Sequence, residues 1–400
     1  MKAKTAAEGA DRLGLWQAAS IIAGYGIGGG VLALPYLVSL NGLPVALLVI
    51  LAAYGLSFLL HLMIAELSAG DGTGSQIIEL LDRYLFTGKW GKTLTWALFV
   101  LMGLAFLANL AAYVAGGREV FASLGMGEVA GSILFYALAA AVAALGLRAL
   151  GLAESAALAG MAIVFVALAG LTFARVAGGN SAEAAAAAVS ASPRLPGSPT
   201  LNRILALYGM SMFSFAAFFS VPQAVRGLSD RPRLIVPSVA MGLGINLLVI
   251  LVVTALALAV PGEVTSVATI GWTRYLGPAA MVLGAIFVTL AMLSSYWSIA
   301  QALASILRER LGIGQFAAFL AATLPTLALS FFGGFLGFMR TAGGGIAVLV
   351  AVLILPTYAK YRRAREKPAI LPGSLDVKGI EWIIAAAYLL MAVGSMVSIG

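Results

Sequence analysis

Gly24-Tyr25-Gly26-Ile27-Gly28-Gly29-Gly30 puts five glycines into seven residues, in the middle of an apolar run from about residue 15 to 39. An interior glycine costs a helix about 1 kcal/mol relative to alanine. The cluster therefore predicts a helix that unwinds near Ile27, with Pro35 restarting a rigid second half. The run is long enough for a membrane span, which needs roughly 20 apolar residues, so the break falls at the bilayer midplane. Unwound backbone at that depth is tolerated only where it is buried in protein or lines a cavity. Helix packing is the competing reading, because Gly24/Gly28 and Gly26/Gly30 both have the small-xxx-small spacing of close membrane contacts. One close contact needs two glycines; five favour the break.

The rest of the chain supports a membrane setting. Of its 400 residues 62% are hydrophobic and 10% charged, against about 25% charged in soluble domains. With no Cys and one His, His61, it has no disulfide framework, no Cys-ligated metal and no site needing two imidazoles. The net charge of +8, in so apolar a chain, sets membrane orientation and does not imply nucleic-acid binding. The polar N-terminus shows no signal peptide.

Apolar runs between charged or turn-rich breaks predict eleven helices, at about 15–39, 43–67, 93–116, 129–147, 151–173, 201–225, 234–260, 278–306, 315–332, 335–358 and 380–399. The fourth and fifth are joined by a tight turn around Arg148. With the N-terminus placed in the cytoplasm, 18 of the 24 Lys and Arg fall on the cytoplasmic side, five on the other, and Arg340 within a span. This bias predicts a multi-pass protein of the cell (inner or plasma) membrane, with an extracytoplasmic C-terminus. Residues 69–92 contain a short amphipathic helix, Gln76 to Tyr84. Residues 177–200, rich in Ala, Ser, Gly and Pro, read as a floppy external loop. The loops otherwise add little structure.

If span 1 opens a repeat of five helices, its inverted counterpart is span 6, where Tyr208 to Pro222 places Phe213 and Ser214 at the midplane and Pro222 disturbs the helix. A straight aromatic packing helix is the alternative. Two broken helices meeting at mid-membrane make a site without side-chain charge. Half-helix N-termini offer N–H groups to an anion, and half-helix C-termini offer carbonyls to a cation. A zwitterion carries both signs. Span 8 adds Ala291-Met292-Leu293-Ser294-Ser295 at its midplane. Its two hydroxyls, the Ala291 carbonyl and freed carbonyls of span 1 suit Na⁺ better than Ca²⁺, which prefers carboxylates, although a serine in a membrane helix commonly bonds its own i−4 carbonyl.

Asn109 and Tyr113 share one face of span 3 as polar wall groups. His61 reads as a buried neutral imidazole with one hydrogen bond. Glu66 and Glu154 read as inner-gate or interface residues at cytoplasmic span ends, and Arg340 as a snorkelling or outer-gate residue. Spans 1, 3, 6, 8 and 10 have no acidic residue at their midplanes, which points to neutral substrates.

Gly28-Gly29-Gly30-Val31-Leu32-Ala33-Leu34-Pro35 resembles the helix 1 signature of the amino acid–polyamine–organocation superfamily. Phe213 to Pro222 is similar to helix 6 of its amino acid/auxin and aromatic amino acid permease branches, and Ala112 to Gly117 and Leu355 to Tyr358 also look like that group. The resemblance implies an all-α LeuT-type fold. Residues 15–173 would form the first five-helix repeat and 201–358 the inverted second. The cytoplasmic tail 1–14, the external loop 174–200, the basic loop 359–379 and an eleventh helix in 380–400 complete the chain. It further implies that the amides of Gly28, Gly29 and Gly30 bind a substrate carboxylate. The carbonyls of Phe213, Ser214 and Ala216 would face the amine, and Phe218 or Phe219 would cap the pocket. A sodium site would comprise the carbonyls of Ala23, Gly26 and Ala291 with the hydroxyls of Ser294 and Ser295. Span 5 lacks the Lys that some proton-coupled relatives place there, and span 6 lacks the glycines many relatives have.

The resulting expectation is a secondary transporter for neutral, apolar or aromatic L-amino acids, coupled to Na⁺ and needing no other cofactor. Its partners are the substrate and the lipid bilayer, with no nucleic acid. A proton-coupled permease or exchanger of the same fold, and a non-transporting amino acid sensor, are the alternatives. A membrane-embedded enzyme needs a convergent set of acids, bases or metal ligands, and one His with scattered carboxylates does not offer it.

Overall fold

The computed structural model describes residues 12–70, 74–178, 200–260, 264–265, 267–364 and 379–397, without the side chains of residues 29, 176–178 and 336–349. Among these residues there are fifteen α-helices, two short 3₁₀ turns and no strand. Each of the eleven expected spans falls on helix. The external loop at 177–200 and the basic loop lie largely outside the described residues, as does the Arg340 side chain.

Span 1 is two helices, α1 (Leu15–Gly26) and α2 (Gly29–Asn41), whose axes differ by 62°. The break is shorter than the glycine cluster. The Ile27 N–H still reaches the Ala23 carbonyl at 3.0 Å, after which Ile27 and Gly28 alone leave the helix, Gly28 being extended (φ −138°, ψ −155°). Gly24, Gly26 and Gly30 remain helical, at positions where a Cβ would crowd a neighbouring helix. Both readings of the cluster thus apply: two residues break the span, and three glycines let other helices approach the break.

Span 2 is α3 (Leu43–Gly70), and the amphipathic α4 (Ile77–Tyr84) follows with Ile77, Ile78, Leu80 and Leu81 all buried. Span 3 is the long α5 (Gly91–Ser123). Span 4, α6 (Glu128–Ala144), turns into span 5, α7 (Leu147–Gly178), through Leu145 and Gly146. Gly146 has φ +85°, a conformation that favours glycine. The turn therefore precedes Arg148, which already belongs to α7. Span 6 is again broken, into α8 (Leu201–Ser214) and α9 (Ser220–Gly227), with residues 215–219 outside helix. Pro222 sits in the first turn of α9, where a missing N–H removes no helical bond, so it starts the second half and does not itself make the break.

Spans 7 to 11 are α10 (Ile235–Ala259), α12 (Pro278–Leu311), α13 (Gln315–Leu329), α14 (Phe335–Ala364) and α15 (Ile380–Met396). The additional helix α11 (Ala268–Leu276), anchored by buried Trp272, lies in the connection between spans 7 and 8, which was expected to be plain loop. The broken halves are the centre of the bundle: α1 packs on α7, α10 and α12, while α2 packs on α8 and α10. Leu48, Ile163, Val166 and Phe173 point outward, as lipid-facing residues do. Six described helices, plus the bent pair of span 1, are long and apolar enough to cross a membrane.

Candidate functional site

The two breaks meet. A Cβ on Gly30 would lie 2.5 Å from Ser214 Oγ and 3.2 Å from the Phe213 ring, so the start of α2 rests on the end of α8. A Cβ on Gly28 would lie 3.1 Å from the Tyr113 hydroxyl and 3.3 Å from Ser295 Oγ, which brings spans 3 and 8 to the same point. Gly28, Gly30, Tyr113, Phe213, Ser214 and Ser295 therefore converge. Gly29 begins α2, where first-turn N–H groups lack a helical acceptor.

The Phe218 and Phe219 rings pack against other helices. The Phe218 ring packs 5.0 Å from His61 and 5.8 Å from Tyr388, on the side of spans 2 and 11. Phe219 meets Phe106 edge-on at 4.7 Å. Both rings are buried wall residues, and neither contacts the glycine break in these packings. Asn109 is half-buried, its Oδ1 enclosed and without a hydrogen-bond partner among the described residues. Ala216 lies in the five-residue gap, where its N–H reaches the Phe213 carbonyl at 3.1 Å.

Two residues hold the span 6 break open. His61 Nδ1 is 2.6 Å from the Ser57 carbonyl, and its Nε2 accepts the Ala217 N–H at 3.0 Å. This pairing assigns the hydrogen to Nδ1 and a neutral ring, with two hydrogen bonds in place of the one expected. On span 7, Asn246 donates from Nδ2 to the Ser214 carbonyl at 2.6 Å, and a Cβ on Gly26 would overlap that amide. Its Oδ1 is buried without a partner among the described residues. Asn246 was missed from sequence. It is nonetheless the one amide in a span that otherwise holds no polar side chain beyond Ser238 and Thr254, and such polar residues inside a membrane are expensive and functional.

The expected cation ligands surround the end of α1. The Ser295 hydroxyl donates to the carbonyls of Ile27 (3.0 Å) and Gly24 (3.3 Å). Ala291 is buried one turn earlier, and the Ala23 carbonyl takes the Ile27 N–H. Ser294 does not back-bond its own helix; it donates to the carboxylate of Glu154, which also accepts from Ser298 at 2.6 Å. This corrects the reading of Glu154 as a residue of a span end. It is fully buried on α7, against Gly24. The sequence boundary for span 5 lay four residues late, which put Glu154 nearer the surface than it is. Glu66 is also buried, and it accepts the Tyr358 hydroxyl at 2.6 Å, which joins spans 2 and 10.

A cavity of about 690 Å³ reaches Gly28, Ala291 and Met292 from the end of the bundle that carries Glu119 and Arg274. Its wall is mostly apolar, with Leu32, Ile270 and Phe335 among the lining residues. The opposite end, where α1 begins, is tied together by charge. Arg226 pairs with Glu309, which also accepts the Gln76 N–H at 2.8 Å. Arg310 pairs with Glu79 at 2.9 Å and Asp82 at 3.2 Å. Burial raises Glu79 above the ordinary carboxylate range, and the Arg310 guanidinium only partly offsets this. The structure is thus open towards one face and clamped at the other, with the crossing of spans 1 and 6 between them.

Broken first and sixth helices around a central site define a transporter of the LeuT-type fold. Two solved transporters share the architecture at low identity. One is MhsT in complex with L-phenylalanine, with a TM-score of 0.67, 13% identity, and coverage of 96% of this chain and 99% of that one. The other is Mhp1, a nucleobase-cation-symport-1 family transporter in a closed conformation with bromovinylhydantoin bound, with a TM-score of 0.65, 14% identity, and coverage of 96% and 90%. The sequence pattern of the tryptophan/tyrosine permease family matches residues 12–397, and the chain belongs to that family. No curated protein is similar enough in sequence to count as a match. The chain is therefore a multi-pass membrane permease and not an enzyme.

Proposed function

We propose that this permease imports neutral, apolar or aromatic L-amino acids in symport with Na⁺. The observation that carries the reading is the convergence of the α2 N-terminus and the α8 C-terminus beside Gly28, at the floor of a mostly apolar cavity. The first-turn N–H groups at Gly28, Gly29 and Gly30 suit the substrate carboxylate, and the carbonyls ending α8, at Phe213 and Ser214, suit its amine. Tyr113 and Asn109 provide polar wall groups, and the neighbouring apolar surface accommodates an uncharged side chain. The family name and the phenylalanine bound to MhsT both favour an aromatic side chain. Ser294 and Ser295 against the end of α1 support the cation site, with the carbonyls of Ala23, Gly26 and Ala291 as the remaining ligands. In the orientation set by the basic residues, the cavity faces away from the cytoplasm. Loss of the clamp at the other end would then accompany inward opening, with the bundle rocking about the bound zwitterion.

Uptake of L-phenylalanine and L-tryptophan into proteoliposomes, in sodium and in choline buffers, tests this. Sodium-stimulated, saturable net uptake is expected. Equal uptake in both buffers, driven only by a pH gradient, would move the assignment to proton coupling. Binding without net flux would make the chain a sensor.

A further inference from the structure

The cation site read from the sequence is built only of neutral oxygens, yet the structure brings a carboxylate into it. Glu154 is fully buried, with Ser298 donating to Oε1 at 2.6 Å and Ser294 donating to Oε2. The Ser298 hydroxyl also lies 3.5 Å from the Ile21 carbonyl of α1. The carboxylate stands so close over Gly24 that no side chain fits there. Glycine at the last turn of α1 thus admits Glu154 to the break, a purpose distinct from unwinding the helix.

No positive side chain answers this charge among the described residues. The only titratable side chain on α1 is Tyr25, and α10 has none. On α12 the nearest is Tyr296, bonded to Thr326, while Arg308, Glu309 and Arg310 lie beyond Ser298 towards the other end. Arg226 of α9 is taken by Glu309, and Arg148 lies at the opening of α7. On the helices packed further along α7 and α12, Glu128 and Tyr136 belong to α6, and Arg274 and Tyr275 to α11. An ionised carboxylate isolated from water is strongly disfavoured unless a metal cation joins it or a proton neutralises it. Two serine hydroxyls occupy only part of its lone pairs, and all the oxygens around it are hard donors.

We propose that Glu154 is the anionic ligand of the coupling-cation site, which joins its carboxylate to the hydroxyls of Ser294, Ser295 and Ser298 at the end of α1. The assignment rests on the reading of the chain as a cation-coupled importer. One carboxylate makes a site that a single monovalent metal ion neutralises, whereas Ca²⁺ sites gather several; among the described residues no three His, Cys, Asp or Glu side chains are grouped so as to hold a metal ion. Such an ion would bridge α1 and α7 of the first repeat to α12 of the second, holding the α1 half-helix in place while the cavity is open.

The test is uptake of labelled L-phenylalanine as a function of sodium, at one fixed pH on both sides of the proteoliposome membrane. For the native chain a saturable sodium stimulation is expected. In Glu154→Gln, uptake in sodium should fall to the level measured in choline, with a cooperative unfolding transition showing that the variant is folded. Glu154→Asp, which withdraws the carboxylate by one methylene, should raise the half-saturating sodium concentration at least tenfold, and it decides the matter if the Gln variant does not fold. Native sodium dependence in either variant overturns the proposal. So does equal native uptake in sodium and choline, which would leave amino acid transport itself standing. A native chain that neither binds nor moves any amino acid would overturn the transport reading as well.

Discussion

Replacing Gly30 with alanine tests the crossing of the two broken helices most directly. The new Cβ would lie 2.5 Å from Ser214 Oγ, where ordinary contact begins at 3.4 Å, so about 0.9 Å must be found. Ser214 can rotate, which breaks its bond to the Met210 carbonyl at 2.9 Å and costs about 0.5–1.5 kcal/mol. Alternatively α2 moves off α8, and overpacking of this kind costs about 1–3 kcal/mol. The cheaper route sets the penalty, at about 0.5–1.5 kcal/mol. If it falls on the substrate-bound state, binding weakens by about two- to 13-fold. The assay is a titration of L-phenylalanine followed by thermal stabilisation in detergent, since a ligand raises stability in proportion to its occupancy of the native state. Adding Ser214→Ala removes the clashing oxygen and should restore at least half of the lost binding free energy. Gly103→Ala, with no heavy atom within 4 Å of the new Cβ, should leave binding alone. A double variant no better than Gly30→Ala, or a single variant within twofold of the native chain, would refute the close approach of spans 1 and 6.

His61→Leu should lower stability by about 1–3 kcal/mol, read as a drop in melting temperature, because the Ala217 N–H keeps only its local bond to the Phe215 carbonyl. An unchanged transition would mean that His61 does not support the span 6 break. Ser294→Ala with Ser295→Ala should raise the sodium concentration needed for half-maximal uptake by tenfold or more; an unchanged requirement would place the cation elsewhere. Glu79 is raised by burial, so the folded chain holds its proton more tightly than the unfolded chain and gains stability as pH falls through the raised value. Glu79→Gln lacks this gain. The melting-temperature difference, native minus variant, should therefore grow from pH 7.5 to pH 5, and a difference that shrinks would contradict the burial of Glu79 beneath Arg310.

The fold was legible because its determinants are local. A span is a run of apolar residues, and a glycine cluster or a proline perturbs the helix that contains it, wherever that helix lies. The site was legible only as far as backbone carried it, as at Gly28, Gly30 and the end of α8. Side chains that reach across the bundle were harder to place, since their meaning depends on depth and rotation relative to other helices. Phe218 has the right type and position for a pocket cap, yet its ring packs between His61 and Tyr388. Glu154 shows the sharper form of the problem. Arg148 looks like a loop residue, but Gly146 can turn the chain with positive φ and start α7 at Leu147. A shift of four residues is about 6 Å along a helix and rotates each side chain by about 40° in register, enough to take a carboxylate from the membrane surface to the end of α1. Ser294 and Ser295, read as a like pair, have different partners because adjacent residues on a helix point about 100° apart, so one hydroxyl meets α7 and the other meets the carbonyls of the break.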